Sequence, residues 1–134
     1  MRVKMLLLVG GLALAAGAQE SNPNFIGKIE RLTDDAPGKI AYIRFEPGAR
    51  TRWHVHEAGQ LVFVMDGVGL EQQMGGPVRE LHAGEAIWCP PGVAHWHGAA
   101  PDKSGSQYNI TRGGIKWLEQ VTEAEYTAKP VRFK

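Results

Sequence analysis

Four of the five histidines in this 134-residue chain fall into two pairs of equal spacing, His54/His56 and His95/His97. On a β-strand, residues two apart point to the same side, so each pair presents two imidazoles to one point in space. Neutral imidazole is the commonest transition-metal ligand, and three imidazoles with one oxygen donor suit Mn, Fe, Ni, Cu or Zn. Gln60 follows the first pair on the same stretch. The chemistry in outline is that of a metal site, assembled if the closure of a barrel brings the two strand faces together.

The elements needed to position such a site are short strands, and the chain supplies them. Runs at 25–32, 40–45, 50–56, 60–65, 68–73, 78–81, 85–89, 94–98, 107–111 and 115–121 are apolar or alternating. Turn residues separate them, among them Asp35-Ala36-Pro37-Gly38, Glu46-Pro47-Gly48, Asp66-Gly67, Gly75-Gly76, Pro90-Pro91-Gly92 and Gly113-Gly114. Ten short strands at this spacing predict an all-β chain, an antiparallel barrel or double-sheet sandwich. Only the tail reads as helix: Thr122-Glu123-Ala124-Glu125 fits a capping box opening a short helix towards Ala128, before Pro130.

Composition narrows the function classes. Met1-Arg2-Val3-Lys4 is a positive start, residues 5–16 are apolar, and Ala16-Gly17-Ala18 is a small-x-small cleavage pattern. Residues 1–18 therefore read as a secretory signal peptide, with one domain over 19–134 and a secreted or periplasmic location. The apolar run is shorter than the ~20 residues of a spanning helix, so no stable membrane insertion is expected after cleavage. Without Arg2 and Lys4, 13 basic residues face 14 acidic ones. This near neutrality offers no electrostatic footprint for nucleic acid. The single cysteine, Cys89, excludes an internal disulfide and reads as a small buried residue rather than a nucleophile.

Two motifs carry a family resemblance. The run Gly48, five residues, His54, one residue, His56, three residues, Gln60, six residues, Gly67 resembles the first motif of the cupin superfamily. The run Gly84, five residues, Pro90, one residue, Gly92, two residues, His95 resembles the second. The resemblance implies a single cupin domain, a double-stranded β-helix, with one divalent metal held by His54, His56, Gln60 and His95. It departs from the family's usual pattern at Gln60, where Glu is commoner, and at Ala99, where Asn often closes the second motif. Phe45 to Thr51, Trp53-His54, Gly59-Gln60 and His95 to Pro101 look like the small bacterial cupins that include manganese-dependent hydroxynitrile lyases. In that group three His and one Gln hold the metal, and a further His on the last core strand assists catalysis; the aligned position here is Gln107.

Around the site, strand alternation puts Arg52 on the face of His54 and His56, either as an anchor for an anionic substrate or as a half-solvated rim residue. His97 shares the face of His95 and is the candidate general acid or base, or else a satisfied core histidine. Gln107, Asn109 and Thr111 form one polar set, a substrate-binding wall if it faces the metal or an ordinary exposed strand face if it faces solvent, while Val62 and Val64 would make the opposite wall apolar. The other strand faces carry Trp53, Val55, Leu61, Phe63, Met65, Trp96, Tyr108 and Ile110, which need a covering layer. The chain's own termini supply some of it, and the rest predicts a homodimer or higher oligomer.

The reading that results is an exported metal-dependent enzyme acting on a small carbonyl or oxygenated compound. Mn2+ or Fe2+ is the expected cofactor, with Zn2+, Ni2+ or Cu2+ also compatible. A neutral amide in place of a carboxylate favours Lewis-acid polarisation of a substrate oxygen or nitrile over a metal-dependent dioxygenase, and the resemblance implies hydroxynitrile-lyase-like chemistry. A non-catalytic ligand-binding cupin with a structural metal is the reading from a different class.

Overall fold

Alternation along the chain is realised as twelve strands and one short helix within residues 22–32 and 40–133, which are those the computed structural model describes. The expected leader at 1–18 and the turn at 35–38 lie outside the described residues. The elements are β1 (Phe25–Ile26), β2 (Ile29–Arg31), β3 (Ile40–Phe45), β4 (Arg50–Thr51), β5 (His54–His56), β6 (Gln60–Gln73), β7 (Arg79–His82), β8 (Ala86–Cys89), β9 (His95–Ala99), β10 (Gly105–Thr111), β11 (Ile115–Trp117), α1 (Glu123–Tyr126) and β12 (Val131–Arg132). Pairing is antiparallel except between β12 and β7. No helix among the described residues is long and apolar enough to cross a membrane.

One strand ties the barrel together. Residues 60–65 and 68–73 read as two strands joined by an Asp66-Gly67 turn, but β6 runs unbroken through both. Its first half pairs with β10 and β8, and its second half with β7 and β9, so it passes from one sheet into the other. Asp66-Gly67 marks the bend instead of a reversal. The register against β10 slips there between Ser106 and Gln107, and Gly67 has φ +67°, with no room for a side chain beside the Ser104 carbonyl.

The opposite correction applies at 50–56. This run splits into β4 and β5, interrupted at Arg52 and Trp53, so alternation does not carry through it. Thr51 and His54 then both reach the barrel interior, while Trp53 turns outward into a cluster with Leu70, Val78, Trp96, Ala100, Val121 and Tyr126. That cluster covers the outer face of the β4–β9–β6–β7 sheet with the chain's own C-terminal segment. Truncating a fully buried aromatic such as Trp96 costs about 3–5 kcal/mol.

The predicted helix forms as α1, with both halves of the capping box made: Thr122 Oγ1 accepts from the Glu125 amide at 3.2 Å, and Glu125 Oε2 accepts from the Thr122 amide at 2.8 Å. A cap contributes only about 1 kcal/mol, too little to hold four residues helical alone. Tertiary contacts do that. Tyr126 donates to the Ala99 carbonyl at 2.8 Å, and the guanidinium of the buried Arg50 sits 4.1 Å from its ring centre while pairing with Glu123.

Candidate metal centre

The register places the histidines. His54 lies opposite His95 across β5 and β9, and opposite Trp117 across β5 and β11. Paired residues share a face, so the two rings meet at 4.3 Å between centroids. His56 joins them at 5.0 Å from His54 and 5.5 Å from His95. One ligand atom from each of His54, His56 and His95 lies within 4.8 Å of those of the others, and all three are buried. Gln60 heads β6 and brings its Oε1 to 2.8 Å from His95 Nε2 and 3.5 Å from His54 Nε2.

Hydrogen bonds show what these atoms offer. His54 Nδ1 is 2.8 Å from the Arg52 carbonyl, and His95 Nδ1 is 3.1 Å from the Val93 carbonyl. A carbonyl only accepts, so each Nδ1 carries the hydrogen and each Nε2 a lone pair. Burial pushes both rings below the usual histidine range, His95 to about 3 with help from neighbouring His54. They are neutral at pH 7. Gln60 Nε2 donates to Thr111 Oγ1 at 3.1 Å, which turns its oxygen inward. Lone pairs of two imidazoles and an amide thus converge with no hydrogen between them, an arrangement that a cation makes favourable. The donor set fits a divalent transition metal, and neutral nitrogen and amide oxygen leave the ion its full charge.

A cavity of about 380 Å³ opens beside this cluster, at the small end of the range for ligand sites. Asn109 and Thr111 line it with His54, His56, Gln60 and His97. The apolar wall differs from the one expected. Val62 and Val64 are buried among Leu81, Ile87 and Cys89, and Phe25, Ile43, Ile115 and Trp117 line the cavity instead. Ile115 and Trp117 follow from β11 pairing with the His54/His56 strand, with the Trp117 ring 5.0 Å from that of His54. A three-residue strand set between Gly114 and Leu118 gives little sign of that pairing in sequence.

Two candidate substrate contacts move. Arg52 is not among the residues lining the cavity, because the break between β4 and β5 removes it from the face of His54; Thr51 lines it in its place. Gln107 is fully buried and does not line the cavity: its Nε2 donates to the Gly98 carbonyl at 2.9 Å and its Oε1 lies 2.9 Å from His97 Nδ1. His97 lines the cavity 5.4 Å from the His54 ring and stands outside the three-histidine cluster. Burial, reinforced by His54 and His95, holds its pKa well below the usual range. Cys89 is buried against Glu71, and burial drives its thiol pKa far up, as expected of a packing residue. His82 is exposed.

Comparisons with known proteins agree with this architecture. Residues 41–108 match the family described as the cupin domain. The chain is 43% identical over 90 residues to an (R)-mandelonitrile lyase from Granulicella tundricola, covering 64% of this chain and 69% of that one. A solved cupin-like protein from Thermotoga maritima superposes with a TM-score of 0.72 at 40% identity, over 82% of this chain and 90% of that one. The polyketide cyclase RemF from Streptomyces resistomycificus shares the fold alone, with a TM-score of 0.57 at 20% identity, over 78% and 75% of the two chains. The matched domain, the barrel and the histidine-lined cavity together establish that this chain belongs to the cupin family.

Proposed function

We propose that this cupin is a metal-dependent lyase that cleaves or forms a small hydroxynitrile-type compound, with Mn2+ or Fe2+ held by His54, His56, His95 and Gln60. The observation that carries the reading is the convergence of Nε2 lone pairs from His54 and His95 with Gln60 Oε1 at the floor of a small cavity that His97 also lines. The 43% identity to a mandelonitrile lyase supports the same reaction class. A bound divalent ion supplies Lewis-acid stabilisation of negative charge on a substrate oxygen or nitrile nitrogen.

The chain's own residues do the rest. Asn109 and Thr111 give the cavity hydrogen-bonding groups, while Phe25, Ile115 and Trp117 exclude water around the substrate's apolar part. His97 accepts the substrate's hydroxyl proton. As the carbon–carbon bond breaks, its electron pair leaves with cyanide, which takes that proton from His97, and the hydroxyl-bearing carbon becomes a carbonyl. Turnover of a hydroxynitrile panel by metal-loaded protein, with oxygen consumption followed in parallel, tests this. Metal-dependent cyanide release without oxygen uptake is expected. Oxygen uptake with any of the panel would instead make the protein a dioxygenase, and metal binding with no turnover would make it a binding cupin.

Export and self-association complete the proposal. The leader pattern at 1–18 supports a periplasmic or secreted mature chain, which N-terminal sequencing of protein recovered from the cell envelope checks. On the outer face of the β3–β10–β6–β8 sheet, Ile40, Ile110, Leu61 and Trp88 form one cross-strand row, and Tyr42, Tyr108 and Phe63 the next. Trp88 and Met65 there are 46% and 41% exposed. This apolar face supports a homodimer; Trp88→Glu is expected to halve the mass measured by light scattering.

A further inference from the structure

The Gln107 amide is held in one orientation, and that orientation has a chemical consequence. The Gly98 carbonyl has only lone pairs to offer, so the Gln107 atom 2.9 Å from it is the NH2. The amide oxygen therefore faces His97 Nδ1, at 2.9 Å. An oxygen without a hydrogen must accept there, so Nδ1 is the protonated nitrogen of a neutral His97 ring. Nε2 is then left with a lone pair, on a residue that lines the cavity. The space for this amide is built into the fold: a Cβ at Gly69, on the strand facing it, would lie 3.0 Å from Gln107 Nε2 and 2.8 Å from Val64 Cγ2. The His97 ring is further fixed by the Phe45 ring, packed edge to face with the centroids 5.8 Å apart, and by its backbone amide, which donates to Thr51 Oγ1 at 3.2 Å.

We propose that Gln107 is a positioning residue that locks His97 in the Nδ1–H tautomer, so that His97 meets the substrate as a proton acceptor at Nε2 and selects substrates that give up a hydroxyl proton there. The relay runs from the Gly98 carbonyl through Gln107 to His97, and every member is buried. It rests on the reading of His97 as the proton-transfer residue of the cavity. It differs from the other histidines in that a side-chain amide, which a substitution can alter, sets the tautomer, whereas backbone carbonyls set those of His54 and His95.

The test is long-range proton–nitrogen correlation on histidine-labelled protein loaded with diamagnetic Zn2+, with the His97 signals identified by their loss in His97→Ala. Wild type is expected to show His97 protonated at Nδ1 and bare at Nε2. Gln107→Glu keeps the acceptor and should keep that tautomer; Gln107→Leu removes it and should lose the preference. In parallel, Gln107→Leu is expected to lower kcat by about 10²-fold or more with KM little changed, as a wrong histidine tautomer does elsewhere. His97 protonated at Nε2 in wild type overturns the proposal, and that spectrum decides even if Gln107→Leu does not fold. A wrong tautomer together with impaired turnover in His97→Ala overturns only the Gln107 assignment. The expected tautomer with undiminished turnover in His97→Ala overturns the proton-transfer reading of His97, and the role of Gln107 with it.

Discussion

The two histidine pairs have the same spacing and different uses. On β5, both His54 and His56 point into the three-histidine cluster. On β9, His95 joins them, but His97 lies one residue pair further along the strand, beside Phe45 and Gln107. Identical local geometry is thus divided by what the neighbouring strands place opposite it. His54 has His95 across the sheet, whereas His97 has Glu71 on β6, itself neutralised by Arg79 at 2.9 Å. The first pair builds the centre, and the second spans from the centre to the group beside it.

The division between the two pairs can be disrupted at several residues. The largest effect is expected from His54→Ala with His56→Ala, which removes two of four donors and should abolish both metal content and turnover. His97→Ala should separate the pairs: metal content stays at wild-type level while kcat falls about 10²–10⁴-fold, the usual range for loss of a general base. Chelation comes next. If metal is present at about a hundred times its Kd, its removal lowers stability by ~2.7 kcal/mol, read as a fall in Tm that His97→Ala also shows and the double mutant does not. The smallest expected effect is that of Thr111→Val. It deletes the partner that turns the Gln60 oxygen inward and should weaken metal affinity about 10–100-fold, measured by competition with a chelator.

Much of the fold was legible because strands alternate with a period of two. That rule put His54 with His56, and His95 with His97, on common faces, and the capping box at Thr122 named the start of its helix, which ends at Tyr126, short of Ala128. Where the period is interrupted, the rule fails. Arg52 left the site because two residues drop out of the ladder between β4 and β5, and Asp66-Gly67 became a bend because the chain continued in the same direction beyond it. Gln107 shows a different limit. Its face could be read as cavity-lining or solvent-facing, and whether an interior amide meets a substrate or another side chain depends on Gly98 and Gly69, on neighbouring strands. Trp53 and Trp96 on one outer face are covered by Val121 and Tyr126, while Trp88 on the other stays exposed; apolar patterning alone looks the same for both.

Metal content per chain, measured by elemental analysis on wild type, His54→Ala/His56→Ala and His97→Ala purified in parallel, separates the roles of the two pairs. The division between the two pairs predicts one divalent ion per chain in wild type and in His97→Ala, and none in the double mutant. Full metal content in the double mutant, or its loss in His97→Ala, would contradict it.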